Sequence, residues 1–151
     1  MSSVATIFRA NLESHGLWEA MRELNATVPY RYTAIFAFDG DMLHNVCLID
    51  KTDQNITKCS DQPITESYCM YIHQSHERFS VEEAPMDQRV AVHPKRHKFQ
   101  SYYGIPLFGS KGKMLGTVCH FDTMPVRVTD EVATALDDVG PLIAEAAFKE
   151  I

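Results

Sequence analysis

Tyr102-Tyr-Gly-Ile-Pro-Leu-Phe108, Gly109-Ser-Lys-Gly112 and Met114-Leu-Gly-Thr-Val-Cys-His-Phe121 decide the fold. Two runs rich in aromatic and aliphatic residues flank a short glycine turn, which reads as an antiparallel hairpin. Pro106 has no amide hydrogen to donate, so its strand needs an edge position or a bulge there. Upstream the pattern repeats. Tyr32-Thr-Ala-Ile-Phe-Ala-Phe38 is β-rich, Asp39-Gly40 is a turn, and Met42 to Ile49 returns antiparallel. Between the hairpins, residues 50–63 are polar and end in Pro63, which predicts a loop. Thr65 is the expected N-cap of a helix running to about Ser75, with Glu66 in its first turn. Arg78 to Glu83 reads as a short strand. Residues 84–101 form a long charged segment with Pro85 and Pro94, and a loop of that length in a small domain usually carries function.

Helices flank this strand-rich centre. Val4, Ile7, Phe8, Leu12, Trp18, Met21, Leu24 and Val28 recur at helical spacing, with Gly16 as a weak point and Pro29 as the stop. A terminal helix starts after Thr129. Val132, Leu136, Val139, Leu142, Ile143 and Ala146 line its apolar face, and Pro141 is expected to kink it. The order is helix, two strands, helix, three strands, helix. Hairpin connections make the sheet mostly antiparallel, so the fold class is α+β, with helices packed on a sheet and one domain over residues 1–151.

With 151 residues, 45% of them hydrophobic, the chain is long enough for one real core. A formal charge of -6 argues against nucleic acid as a partner, because phosphate neutralisation needs a basic face. The N-terminus has no apolar leader segment and no apolar run reaches membrane-spanning length, so the expected location is cytoplasmic, without a membrane partner. Cys47, Cys59, Cys69 and Cys119 then read as free thiols.

Taken together, Tyr102-Tyr-Gly-Ile-Pro-Leu, Gly112, Leu115-Gly-Thr-Val-Cys-His-Phe-Asp122 and Asp130-Glu131 resemble the second half of a GAF domain. Glu66-Ser-Tyr-Cys-Met70 is similar to the start of that family's pocket helix. Phe79 to Arg89 looks like the strand and loop after it, and Arg31 to Phe38 like the first strand. The resemblance spans roughly residues 4–148. It implies a twisted antiparallel sheet with the terminal helices on one face, and a pocket helix and loop enclosing a small ligand on the other. It implies a fold more firmly than a function, since members bind cyclic nucleotides, haem, bilins or metabolites.

The residues narrow these options. His73 and His76 share a helix face, and His93 and His97, four apart, have a ligand spacing too if their loop were helical, but no metal-site signature is present and solvated histidines are the preferred reading. Cys119-His120 resembles the dipeptide of bilin-binding relatives, yet in a strand the two side chains point to opposite faces. Asp130-Glu131 matches part of the cyclic-nucleotide motif, but Val126 stands in place of its phenylalanine. Cys59 and Cys69 resemble two of the three cysteines of free methionine-(R)-sulfoxide reductases, and Asp122 one of that family's ligand-binding acids. The attacking cysteine of those enzymes is missing from residues 84–101. Lys95-Arg96-His97-Lys98 reads either as an anion clamp or as a solvated loop face. Tyr68, Tyr102, Tyr103, Phe36 and Phe121 are candidates for an aromatic pocket. Core packing is the preferred reading for the two phenylalanines, and a ligand role for Tyr68 and Tyr103.

These readings give a small-molecule-binding sensory or regulatory domain without its own catalytic site; the alternative is a thiol-based redox protein. The candidate ligand-binding residues are Tyr68, Cys69, Ile72, Tyr103, Arg96, His120 and Asp122. The cavity is expected between the sheet face carrying Tyr103 and His120 or Cys119, the helix Glu66–His76 and the loop 84–101. No cofactor is specified. A homodimer is expected through the segments Val4–Val28 and Val132–Phe148, with output to a signalling partner protein.

Overall fold

Gly16 divides the N-terminal helix in two. Its backbone lies at φ 88°, a region that favours glycine, and it separates α1 (Ser3–His15) from α2 (Leu17–Ala26). The computed structural model describes residues 2–148. After α2 come β1 (Tyr32–Asp39), β2 (Met42–Asp50), β3 (Gln62–Pro63), α3 (Cys69–Ser75), β4 (Phe79–Val81), β5 (Ser101–Phe108), β6 (Met114–Asp122) and α4 (Asp130–Ala147). The strands form one antiparallel sheet in the order β3-β2-β1-β6-β5-β4, so the first and last long strands, β1 and β6, lie side by side at its centre.

Several local expectations meet the structure directly. Thr129 caps α4, its hydroxyl accepting from the Val132 amide. Pro106 lies where β4 no longer pairs with β5, because that pairing stops at Gly104. Others are corrected. Thr65 does not cap the pocket helix: Ile64–Glu66 form a 3₁₀ turn, and α3 begins only at Cys69, without a side-chain cap. The polar loop also ends in a short strand, β3, on the sheet edge. As expected, the terminal helix starts after Thr129; it runs to Ala147 with Pro141 inside it.

Both faces of the sheet are apolar. On one, Ile35, Ile105, Leu107 and Val118 pack against Phe8, Met21, Leu24, Leu136 and Ile143 of the helices. On the other, Ala34, Phe36, Leu48, Tyr102 and Cys119 meet Tyr68, Cys69 and Ile72 of the pocket segment. The N-terminal apolar residues mostly close on this chain's own core. Phe8, Met21 and Leu24 are buried, Leu12, Leu17 and Trp18 are partly covered, and Ile7 stays 58% exposed. The break at Gly16 permits this, since each half-helix turns its own stripe inward.

Candidate functional site

Strand parity distributes the chemistry. On β5, Tyr102 and Gly104 point one way, and Tyr103 and Ile105 the other; on β6, Thr117, Cys119 and Phe121 oppose Val118, His120 and Asp122. The cavity, about 410 Å³, lies over the Tyr102 and Cys119 face. Its floor is Phe36, Leu48, Tyr102 and Cys119. Tyr32 and Phe121 stack at 4.9 Å between ring centroids, and Phe99 stands edge-on to both, at 6.0 and 5.1 Å. Its walls are the loop 58–61, the turn Glu66–Tyr68, and Lys95, Lys98 and Phe99 of the long loop. The Tyr68 hydroxyl donates to the Phe99 carbonyl at 2.7 Å, which ties the turn before α3 to that loop, and the His93 ring packs 4.6 Å from Tyr68. Burial pushes the Tyr68 phenol well above its ordinary value, so it stays a neutral donor.

The seven candidate residues separate accordingly. Tyr68 lines the cavity. Cys69 and Ile72 are fully buried behind its lining, in the pocket-side core. Tyr103 and His120 are corrected to the helix face. Tyr103 accepts from the Arg78 guanidinium at 2.8 Å, and His120 stacks on Tyr30 at 5.5 Å and shares a 2.7 Å hydrogen bond with Thr33. Desolvation, then the nearby Lys51 charge, push His120 down to about 3, so it is a neutral imidazole within a buried Asn25–Thr33–His120 network. Asp122 clamps the chain: its carboxylate accepts from the Arg31 and Met124 amides at 2.7 and 2.8 Å. Arg96 turns into its own loop and donates to the Ala91 and Pro85 carbonyls. The basic run does reach the cavity, but through Lys95 and Lys98. Tyr102, Phe36 and Phe121 are at the cavity, whereas Tyr103 is not. Among the described residues, no group of three or more His, Cys, Asp or Glu side chains gathers to hold a metal.

Charge at the mouth is uneven. Asp50, almost fully buried, receives Arg31 through two hydrogen bonds of 3.0 and 3.1 Å. Burial disfavours its charge, but Arg31 and Thr52 outweigh that and hold the carboxyl below its usual range. Asp61 is occupied by His44 at 2.8 Å. Lys58, Lys95 and Lys98 make no ion pair among the described residues; Lys98 lies 5.2 Å over the Phe99 ring. Position-by-position reading missed Arg31, Asp50 and Lys58. The signal open to it was the alternation of Tyr32, Ala34 and Phe36, which places Arg31 at the end of a floor strand. The cysteine pair of the redox alternative is split: Cys59 is exposed and lines the cavity, Cys69 is buried, and residues 84–101 hold no cysteine.

Comparison with known proteins gives one family. The model of the GAF domain matches residues 17–147. No protein of curated function matches the sequence. Among solved structures, the GAF domain of the Acinetobacter phosphoenolpyruvate-protein phosphotransferase superposes with a TM-score of 0.75 at 12% identity, over 97% of this chain and 94% of that one. A putative GAF sensor protein from Burkholderia vietnamiensis gives 0.74 at 15% identity, over 96% and 91%. The free methionine-R-sulfoxide reductase of Neisseria meningitidis, solved with its substrate, gives 0.68 at 13% identity, over 97% and 91%. At these identities the superpositions establish the fold.

Proposed function

The chain belongs to the GAF domain family, and from that premise we propose that it is a ligand-binding sensory domain whose cavity takes a small organic anion with a flat, apolar body. The observation carrying this reading is the contrast within the cavity. An aromatic box of Tyr32, Phe99 and Phe121 forms part of its lining, while Lys58, Lys95 and Lys98 stand around it without ion-pair partners among the described residues, in a chain of net charge -6. Stacked rings suit a planar body, and an ammonium without a carboxylate partner suits a carboxylate or phosphate. The volume is within the range of small-metabolite sites. Ligand contact with Tyr68 and Phe99 would be felt by both pocket loops, which gives occupancy a route to a signalling partner. A reducing compartment such as the cytoplasm is part of the reading, in keeping with four free thiols.

Titration calorimetry with 4-hydroxybenzoate and its neutral amide tests the reading. The acid should bind at least about tenfold more tightly, and a Lys58→Gln/Lys95→Gln/Lys98→Gln variant should lose that preference. Equal binding of acid and amide, or an unaffected triple variant, would count against an anion site.

The homodimer belongs to the same reading. With most of the N-terminal stripe turned inward, two-fold pairing through α1 and α4 would rest on Ile7 and the uncovered parts of Leu12, Leu17 and Trp18. Sedimentation equilibrium at micromolar concentration should give twice the 17.1 kDa chain mass. A constant monomer mass on concentrating would remove the dimer.

A further inference from the structure

Two hydroxyls converge on one sulfur behind the cavity. Cys69, the first residue of α3, is fully buried; its Sγ lies 3.1 Å from the Tyr102 hydroxyl and 3.3 Å from that of Thr117. The Ser67 hydroxyl accepts from the Cys69 amide at 3.1 Å, and Cys119 follows Thr117 on the same face of β6, opposite the Gly104 that the Tyr102 phenol covers. A sulfur that merely filled space would need neither hydroxyl, and burying those of Tyr102 and Thr117 beside it is costly unless they have a partner. The backbone is shaped for the arrangement. A Cβ on Gly104 would fall 2.8 Å from two ring atoms of Tyr102, so the missing side chain leaves the phenol room to lie over Gly104. Cys47 provides an internal contrast. Buried in the helix-side core, its thiol is pushed up to about 11 by desolvation. Burial acts on Cys69 in the same direction, but hydrogen bonds from Cys119, Ser67, Thr117 and Tyr102 outweigh it and hold that thiol near 7. Cys119, by contrast, is held well above its ordinary value by burial and by the adjacent Cys69 sulfur, so it keeps its proton and donates.

We propose that Cys69 and Cys119 form a peroxide-responsive thiol pair beneath the cavity, oxidised to an intramolecular disulfide by hydrogen peroxide. Cys119 and Tyr102 belong to the cavity lining, so the pair lies directly beneath the cavity, and that is the side from which peroxide would approach it. The Cys69 thiolate attacks one peroxide oxygen. The S–O bond forms, the O–O bond breaks, hydroxide leaves, and the sulfur is oxidised by two electrons to sulfenic acid. The Cys119 sulfur then attacks the Cys69 sulfur. The S–S bond forms, the S–O bond breaks, and the departing hydroxide takes the Cys119 proton as water. The net change consumes one peroxide and two thiols and yields one disulfide and two waters. The bond joins β6, in the cavity floor, to the start of α3, and so couples oxidation to the shape of the ligand site.

Peptide mapping of the full chain decides this. Reduced protein is treated with stoichiometric hydrogen peroxide, alkylated without reduction and digested. The expected result is a Cys69–Cys119 cross-linked peptide with a mass lower by two hydrogens, and Cys59 fully alkylated. Cys59→Ser should leave the cross-link intact. Cys119→Ser should replace it with a sulfenic acid on Cys69 that dimedone traps. Should that variant fail to fold, the wild-type map alone carries the test. A disulfide through Cys59, or a fully alkylated Cys69 and Cys119 after peroxide, would overturn the proposal.

Discussion

Gly116→Ala should lower the folding stability of this domain by about 3 kcal/mol or more. A Cβ at position 116 would stand deep inside the contact radius of the Phe36 carbonyl oxygen, and 2.8 Å from the Phe148 ring. The first of these is backbone, held in the β1–β6 ladder at the centre of the sheet, and cannot swing aside as a side chain can. Relief requires parting the two central strands, and Phe36 takes the strain to the cavity floor. Gly112→Ala is the comparison. Gly112 sits in the β5–β6 turn at φ 79° with open space around it, so alanine there costs only the left-handed backbone penalty, about 1 kcal/mol. Urea unfolding should show a clearly lower midpoint for Gly116→Ala than for Gly112→Ala, with an unchanged slope. Equal midpoints would mean that the central strands accommodate a methyl group freely.

The second large effect is a pH dependence from His120. Its folded value, about 3, lies below the ordinary 6.5, so between these values the unfolded chain binds one more proton than the native one. Stability is therefore fully present above pH 6.5 and is lost as pH falls toward 3. The slope is about 1.4 kcal/mol per pH unit and the total about 4–5 kcal/mol. The physical event is the protonation of an imidazole stacked on Tyr30 and bonded to Thr33 in a dry layer beneath the helices, with Lys51 adding repulsion. Denaturant midpoints measured from pH 7 to pH 4.5 should fall more steeply for the native sequence than for His120→Gln, by close to one proton. Depressed carboxyls such as Asp50 and Asp87 titrate in both proteins and cancel in the difference. Parallel profiles would place His120 in contact with solvent.

Both effects arise on strand β6, where the limits of sequence reading are clearest. Alternation along Thr117–Asp122 shows at once that Cys119 and Phe121 share one face and His120 and Asp122 the other. It does not show which face meets the ligand. Val118 and Ile105 are as apolar as Tyr102 and Cys119, because a sheet covered on both sides has two dry faces, and hydrophobicity carries no label for them. Tyr103 and His120 were therefore expected at the cavity and lie beneath the helices. Arg96 fails for a different reason. In a loop without periodicity, the direction of each side chain is set by which carbonyls the folded loop leaves open, and those of Pro85 and Ala91 take the guanidinium while Lys95 and Lys98 line the cavity.

By itself the sequence determined what local chemistry controls: the Asp39-Gly40 and Gly109–Gly112 turns, the hairpins they join, the Thr129 cap, the break at Gly16, and hence an α+β domain of the GAF family. Turns and caps are settled by neighbours a few residues apart, and the order of such signals is specific enough to identify the family. Only the tertiary structure decided which sheet face became the cavity floor, that Arg31 is spent on Asp50 while three lysines have no ion-pair partner among the described residues, and that Cys69 is buried on the same face as Cys119 while Cys59 is exposed. Cys69 and Cys119 are 50 positions apart in the chain. They meet because β6 inserts between β1 and β5 and α3 lies across that face, a long-range pairing that no local pattern encodes.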